Sequence, residues 1–419
     1  MKLSVVIPAL NEGLNIRELI TSMHQEIPKI TDDYEILIVD GGSKDNTREL
    51  AASLGARVVM QKEKGYGGAL KTGFISAKGE YIVTLDADLS HSPTFIPLMW
   101  EAKSDAEIVI ASRYAHGGSA EMPLSRRILS RILNMVFTRG LSLPVKDISS
   151  GFRLYHSSTL RELDLTSSDF DILEEVLVKC YAQGWKIKEV PFHYYPRKGG
   201  VTHAKLIQFA ISYLKTFKRM WGLRNSIESA DYDERAYNSV IPMQRWWQRK
   251  RFKIITKLAK DAGAILDIGC GSSKILGALD NVIGLDILMR KLRYGRKHGK
   301  PLFNASVFNL PFKDNTFDCV ICSEVIEHVP ADKSTFAEMT RVLKPGGRLI
   351  LGTPDYGRWR WRFTEWVYEH VIPGGYAEEH ITHYTQKSLT ELMESLGYTS
   401  KENHYVFGSE LIMLLEKAA

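Results

Sequence analysis

Glu80-Tyr-Ile-Val-Thr-Leu-Asp86-Ala-Asp88-Leu-Ser-His-Ser-Pro93 reads as a short buried strand, Tyr81 to Leu85, that delivers two carboxylates one residue apart at its C-terminal end. In an open α/β sheet that edge is where ligands bind. Two acids so close repel each other, and a divalent cation shared with a diphosphate would relieve the repulsion. Asp-x-Asp is also common as a pair of solvated loop acids, so the flanking segments decide between the two.

Those segments alternate strand and helix. Leu3 to Ile7 is an apolar strand ending at Pro8, and a helix follows from about Leu14. Tyr34 to Val39 is a second strand, closed by Asp40-Gly-Gly-Ser-Lys-Asp45, where the glycines permit a tight turn and Ser43 or Asp45 can cap the next helix. A third strand covers about Ala56 to Met60. Lys64-Gly-Tyr-Gly-Gly68 then opens a helix whose free amides would approach an anion. The order is that of a nucleotide-binding α/β domain. It is not the dinucleotide fingerprint, because no Gly-x-Gly-x-x-Gly follows the first strand.

The ordered motifs Val5-Val-Ile-Pro-Ala-Leu-Asn-Glu12, Ile38-Val-Asp40-Gly-Gly-Ser43, Asp86-Ala-Asp-Leu-Ser-His91, Ala111-Ser-Arg-Tyr114 and Asp147-Ile-Ser-Ser-Gly-Phe-Arg-Leu-Tyr155 carry a resemblance. This half resembles the family 2 glycosyltransferases of GT-A fold, and within them the dolichyl- or polyprenyl-phosphate hexose synthases. The resemblance implies that Pro8, Glu12, Ile38 and Asp40 hold the base and ribose of a GDP- or UDP-hexose. Asp86, Ala87 and Asp88 would face its diphosphate, with Mg²⁺ or Mn²⁺ on the two aspartates. It further implies that Arg113 stabilises charge at the transferring centre and that Arg126 and Ser130 face the phosphate of a polyprenyl acceptor. Arg197 and Lys205 would close over the diphosphates. This sequence departs from the family pattern in having Leu10 for a tyrosine, Gly41 for the second acid of its turn, and two more residues between Arg197 and Lys205.

A phosphate acceptor fits the residue types present. A hydroxyl acceptor needs a base to take its proton. A lipid phosphate arrives ionised and needs only positive charge to bring two anions together and hold the departing diphosphate. Glu174 is the one candidate base, and it also reads as a structural acid at a helix start. Arg126 and Arg127 equally fit a solvated helix face. From Lys205 to Leu223 an apolar stripe of Leu206, Ala210, Tyr213, Leu214, Phe217, Met220 and Trp221 suits either a helix lying in a bilayer interface or one packed on its own domain.

Glu228-Ser-Ala-Asp-Tyr-Asp-Glu-Arg235 is polar and marks a join, and the basic, aromatic stretch Pro242 to Lys253 suits an anion or membrane patch but reads better as an amphipathic lead-in helix. The expected division is therefore 1–225, a linker and lead-in over 226–250, and a second domain over 251–419. There Ala264-Ile-Leu-Asp-Ile-Gly-Cys-Gly-Ser272 is a strand entering a glycine-rich turn. Val282-Ile-Gly-Leu-Asp286 ends the next strand in an acid suited to a ribose diol. With Phe317 to His328 and Val342 to Leu351, this half resembles the class I S-adenosyl-L-methionine-dependent methyltransferases, whose Rossmann-like fold it would share. The resemblance implies that Asp267, Gly269 and Gly271 line the methionine end of the cofactor and that Asp286 holds its ribose. Ser306 stands near the adenine, where the family's usual acid is missing, and Glu324 borders the pocket. On a helix, Glu324, Glu327 and His328 would share one face. With His380 or His383 they would offer a divalent metal site, as in the small-RNA 2′-O-methyltransferases they resemble. The same motif lines the cofactor pocket of methyltransferases without metal. His380 or His383 could instead supply a base for O-methylation.

At 419 residues, 44% hydrophobic and 25% charged, the chain has the makeup of a globular protein of two domains. No apolar run approaches bilayer length, and Met1 leads straight into a strand, leaving no room for a signal peptide. Four cysteines without a disulfide pattern fit a reducing cytoplasm. Cys319 and Cys322 read as strand core rather than a redox or zinc pair. A net charge of +6 is mild for this size and permits anionic substrates or a lipid surface such as the cytoplasmic face of a membrane; the basic residues, scattered over helices and a loop, do not suggest nucleic acid. The expectation is a bifunctional enzyme. Its alternatives are a glycosyltransferase acting on a sugar hydroxyl of a surface polysaccharide with O-methylation of the glycan, and a scaffold whose second domain binds S-adenosyl-L-methionine without turnover.

Overall fold

The computed structural model describes residues 1–196, 206–371 and 380–419, with the main chain alone over 206–210 and 367–371. Arg197 and Lys205 lie outside the described residues. The chain divides into two compact units, Met1–Arg224 and Asn225–Ala419. No described helix is long and apolar enough to cross a membrane.

In the first unit the strands are β1 (Leu3–Ala9), β2 (Tyr34–Asp40), β3 (Arg57–Met60), β4 (Tyr81–Thr84), β5 (Ile108–Ser112), β6 (Ser119–Ala120), β7 (Arg153–His156), β8 (Ile187–Pro191) and β9 (His193–Tyr194). The helices are α1 (Ile16–Glu26), α2 (Thr47–Ser53), α3 (Gly65–Ser76), α4 (Ile96–Ala102), α5 (Leu124–Gly140), α6 (Ser158–Arg161), α7 (Ile172–Ala182) and α8 (Leu206–Arg224). Seven strands form one sheet in the order β3-β2-β1-β4-β7-β5-β8, and β6 pairs with β9 apart from it. Strand β7 runs antiparallel to both neighbours. The apolar runs of β1 and β2 are buried on both faces, as parallel strands covered by helices must be. Registers pairing Ala9 with Asp40 and Val6 with Thr84 put Asp40 and the Asp86–Asp88 loop at the same C-terminal edge. The sheet order turns there, with β1 between β2 and β4.

Helix α3 shows why its glycines are needed. A Cβ on Gly65 would lie 2.2 Å from the Ser168 carbonyl oxygen, and one on Gly67 would meet the same segment at 2.7 Å. The Gly67 amide donates to Ser168 O. These glycines therefore let α3 press against residues 167–168. Of the amides expected to face an anion, that of Gly67 is taken by the Ser168 carbonyl. Helix α8 packs into the first unit through Tyr213 and Met220, with Phe217 against Phe137, while Leu214 and Trp221 stay exposed.

In the second unit the strands are β10 (Ile265–Ile268), β11 (Val282–Asp286), β12 (Leu302–Asn304), β13 (Phe317–Ser323), β14 (Leu343–Pro354), β15 (Tyr398–Val406) and β16 (Glu410–Lys417). The helices are α9 (Tyr232–Tyr237), α10 (Pro242–Ala259), α11 (Ile275–Ala278), α12 (Met289–Gly295), α13 (Lys333–Val342), α14 (Trp359–Val371) and α15 (Gln386–Ser395). All seven strands form one sheet, β12-β11-β10-β13-β14-β16-β15, with β16 antiparallel to its neighbours. Cys319 and Cys322 are buried and free in β13. Residues 226–250, read from the sequence as a linker and lead-in, belong to this unit as α9 and the first turns of α10.

The close approach of α3 to β1 sets a stability test. A Cβ at Gly73 would sit 2.3 Å from Val6 Cγ1 and 3.3 Å from Val39 Cγ2. Gly73→Ala is expected to cost about 1–3 kcal/mol through overpacking. Calorimetry of the full chain should show a midpoint lowered by several degrees in one transition only; an unchanged midpoint would contradict the packing described.

Candidate functional sites

The first unit gathers its acids on turns that follow strands. Asp40, the last residue of β2, is sealed from solvent. Its Oδ1 accepts from the amides of Gly42 and Ser43, at 2.9 Å each, which holds the carboxylate in its turn. Oδ2 is buried without a hydrogen-bond partner. Leaving such an oxygen unpaired costs about 1–3 kcal/mol. An N–H or O–H from a ligand would remove that cost.

Asp86 and Asp88 follow β4 on a loop in which Leu89 takes a left-handed φ of 64°. Asp86 is partly open: its Oδ1 accepts from Tyr66 Oη at 3.0 Å, and its amide donates to His91 Nδ1 at 3.0 Å. Tyr66 in turn stacks on Phe170 at 4.6 Å. Asp88 is nearly buried, and its Oδ1 accepts from the amide and hydroxyl of Ser90. A Cβ on Gly151 would come within 2.9 Å of Tyr66 Oη and 3.6 Å of Asp86 Oδ1, so the Ser150–Phe152 segment forms a close floor.

The remaining residues expected at this site fall into distinct places. Pro8 and Glu12 are partly exposed, and Glu12 accepts from Asn15 Nδ2 through Oε2. Ile38 and Ala87 are sealed in the core, so only their main chains can meet a ligand. Arg113 differs from expectation. Its Nε and Nη2 grip the buried Asp147 at 2.8 and 2.7 Å, and Nη2 also reaches Ser149 Oγ at 2.7 Å. Its charge is matched by that carboxylate, so it braces the loop after β5 and is not an open cation. Ser130 Oγ accepts from Tyr114 Oη at 2.8 Å, and Asn134 ties Ser130 to Ser149. Arg126, one turn before Ser130, is exposed.

Glu174 is fully buried, and burial pushes its carboxyl up to about 8. That is a neutral structural group at neutral pH, not an accessible base. The sequence reading missed the apolar face of α5: Leu124, Ile128, Leu129, Ile132, Met135 and Val136 are all exposed. Their spacing is visible in the sequence, but only the packing shows that no described element covers them.

In the second unit one cavity of about 610 Å³ is lined by all six residues named for the cofactor: Asp267, Gly269, Gly271, Asp286, Ser306 and Glu324. Gly269 and Gly271 take left-handed φ values of 68° and 53°, which bring the turn after β10 tight against its neighbours. Gly271 N donates to Asp286 Oδ2 and Leu288 N to Oδ1, at 2.8 Å each, so Asp286 is held by two amides. Asp267 Oδ2 has no partner. Burial, with Asp286 nearby, pushes the Asp267 carboxyl up to about 8.

Residues outside the sequence motifs complete the cavity. Asp233 of α9 accepts from Ser272 N and Oγ, at 2.9 Å each, and from the buried Lys291 ammonium at 3.0 Å. Arg251 of α10 pairs with Glu324 at 3.0 Å and with Glu410. Glu324 therefore departs from the expected metal face. It lies before the short helical turn Ile326–His328, on a left-handed φ of 60°, and its carboxylate faces Arg251. His383 is exposed and stacks on Tyr356 at 4.1 Å. The cluster that does form is Glu327, His328 and His380, whose ligand atoms lie within 4.8 Å of one another. Glu327 Oε1 is buried without a partner. Burial, with His328 and His383 nearby, holds His380 down to about 4, so it stays neutral.

The Asp267 shift has a definite sign. Its folded value near 8 lies above that of an unfolded carboxyl, about 4, so the folded unit binds the proton more tightly. Stability is full below the unfolded value and is lost as pH rises toward 8. Without ligand, the wild-type midpoint for this unit should fall between about pH 5 and 8, and Asp267→Asn should flatten that fall. Parallel calorimetric profiles for the two proteins would contradict this.

Comparisons with known proteins agree with this division. Residues 4–164 match the family model for glycosyl transferase family 2, and residues 266–351 match that for a methyltransferase domain. The chain is 35% identical over 216 residues to a dolichol-phosphate mannosyltransferase of Pyrococcus furiosus, spanning 49% of this chain and 60% of that one. It is 31% identical over 233 residues to the dolichol-phosphate mannosyltransferase of Saccharomyces cerevisiae, spanning 52% of this chain and 86% of that one. Among solved structures, glucosyl-3-phosphoglycerate synthase of Mycobacterium tuberculosis overlaps 53% of this chain and 80% of its own, with 21% identity and a TM-score of 0.42. The chain belongs to glycosyl transferase family 2, as a GT-A domain joined to a methyltransferase domain of Rossmann-like fold.

Proposed function

We propose that the first unit transfers a hexose from a GDP- or UDP-hexose to a polyprenyl phosphate, with inversion and with a divalent cation, and that the second methylates an acceptor from S-adenosyl-L-methionine. The single observation that carries the first part is the meeting of Asp40, with its unpartnered oxygen, and the Asp86–Asp88 loop at one edge of the sheet. Asp40 would take an N–H or O–H of the nucleoside. Asp86 and Asp88 would hold Mg²⁺ or Mn²⁺. When bound, such a cation offsets charge on the departing diphosphate. Tyr66 and His91 fix Asp86, and Ser90 fixes Asp88, so the carboxylates are oriented before substrate arrives.

An ionised acceptor phosphate attacks the anomeric carbon opposite the leaving diphosphate and needs no base, in keeping with a sealed Glu174. The exposed apolar face of α5, with Arg126 beside it, suits a lipid chain and its phosphate at the cytoplasmic face of a membrane. In the second unit, Asp267 would accept from the cofactor's ammonium and Asp286 from its ribose. A bound cofactor supplies an activated methyl group. That the cavity holds all six of these residues favours a working methyltransferase over a scaffold.

The chemistry of Glu327, His328 and His380, one carboxyl group and two imidazoles, suits a divalent transition metal beside the methyl acceptor. Mass-spectrometric metal analysis of the purified chain should find near-stoichiometric zinc, iron or manganese that His380→Ala lowers severalfold. Equal content in both proteins would remove the metal from this reading.

Offered labelled nucleotide-hexoses with polyprenyl phosphate and Mn²⁺, the protein should move label into the organic phase. Asp88→Ala should slow this at least ~100-fold. Label in a water-soluble glycan would point to a hydroxyl acceptor. Transfer and metal requirement both untouched by the substitution would overturn the proposal.

A further inference from the structure

The two helices that border the second unit's cavity carry an unusual outer surface. On α14, Trp361, Thr364 and Glu365 line the cavity. Trp359, Phe363 and Trp366, spaced i, i+4, i+7, fall on the opposite side of the helix. They are 71%, 57% and 53% exposed. Phe363 and Trp366 stack on each other in water at 6.3 Å. Arg360 and Arg362 are exposed and flank this stripe on its two sides.

Helix α10 repeats the arrangement. Gln244, Trp247, Gln248 and Arg251 line the cavity, while Val240, Ile241, Met243 and Trp246 at its start are exposed, with Arg249 and Lys250 close behind. The two surfaces are continuous. Trp246 lies 6.4 Å from Phe407, itself 40% exposed, and the Arg360 guanidinium stands 5.8 Å from the Phe407 ring and 5.8 Å from the Trp359 ring.

Single exposed apolar residues need no explanation, but a contiguous aromatic patch does. We propose that this patch is a bilayer-docking face, by which the second unit seats α14 and the start of α10 in the headgroup zone of an anionic lipid leaflet. Tryptophan and phenylalanine flanked by arginine suit that zone. The rings enter the acyl boundary while the guanidiniums snorkel to headgroup phosphates. Both helices turn their other sides to the cavity, so docking would present the methyl-transfer site to an acceptor carried in the lipid. A second copy of the chain is the other occupant to consider. The arginines argue against it, because two identical patches face to face would oppose like charges. The docking face is read from the patch itself and stands apart from the activities proposed above.

The test must separate this face from the apolar side of α5 in the first unit, so it uses a local probe on the full chain. All four native cysteines are buried. Phe363→Cys and, as a control on α15, Lys387→Cys are each labelled with an environment-sensitive fluorophore. They are then mixed with vesicles of phosphatidylcholine alone or with phosphatidylglycerol. The probe at position 363 is expected to shift to the blue, to be quenched by lipids spin-labelled near the headgroup, and to do both more strongly on anionic vesicles. The probe at position 387, where the lysine side chain is 85% exposed, is expected to stay water-like. Adding Trp359→Ser and Trp366→Ser to the Phe363→Cys protein should abolish the shift without lowering the thermal midpoint. A water-like probe at 363 while the chain sediments with vesicles would overturn the inference, as would failure to bind vesicles. A blue shift that grows with protein concentration before any lipid is added would assign the face to a second copy instead.

Discussion

A buried carboxylate oxygen left without a hydrogen-bond partner is the constraint on which both units depend. Asp40 Oδ2 in the first unit, and Asp267 Oδ2 and Glu327 Oε1 in the second, are each sealed from water and left without a hydrogen-bond partner. Burial of that kind is unfavourable, and a fold keeps it only where surrounding packing holds the group in place. In both units the means are alike. A parallel strand ends at the edge of a sheet, a glycine turn follows, and backbone amides hold an acid there. Gly42 and Ser43 take one oxygen of Asp40, while Gly271 and Leu288 take both oxygens of Asp286 beside Asp267. The unpartnered oxygens of Asp40 and Asp267 are chemically specific: each calls for a donor, and that of Asp267 for a cation.

The sheets were legible in the sequence because parallel strands buried on both faces leave near-continuous apolar runs, and each run ended in the acid or turn that marks a ligand edge. Asp267, Gly269, Gly271, Asp286, Ser306 and Glu324 stood in motifs with local spacing, and one cavity gathers them. What escaped reading is what forms only across distance in the chain. Asp233 reaches Lys291 and Arg251 reaches Glu410, pairs separated by 58 and 159 residues, and no local pattern announces them. The segment holding Asp233 and the first turns of α10 looked like a linker because it is polar and basic, yet it walls the cavity.

Two other expected site residues have partners that their motifs do not announce. Glu324, Glu327 and His328 have helical spacing, but the chain there makes only a single tight turn, so Glu324 pairs with Arg251 and the cluster keeps Glu327, His328 and the expected His380. The family resemblance implies that Arg113 stabilises charge at the transferring centre. Its partner Asp147 is 34 residues away, and the bidentate pair turns a candidate charge donor into a brace. Exposed faces were the hardest to anticipate, since the stripes on α5 and α14 look in sequence like ordinary core-facing helices. Only the absence of a covering element among the described residues distinguishes them.

The most direct test of the vacant-carboxylate account is a calorimetric titration of the full chain with S-adenosyl-L-methionine near pH 6.5, in buffers of different protonation heat. Asp267, neutral in the free protein with its carboxyl held near 8, should ionise beside the incoming ammonium and release ~1 proton. Asp267→Asn should release none. Binding heats that do not vary with buffer, or a release that persists in the variant, would contradict the account.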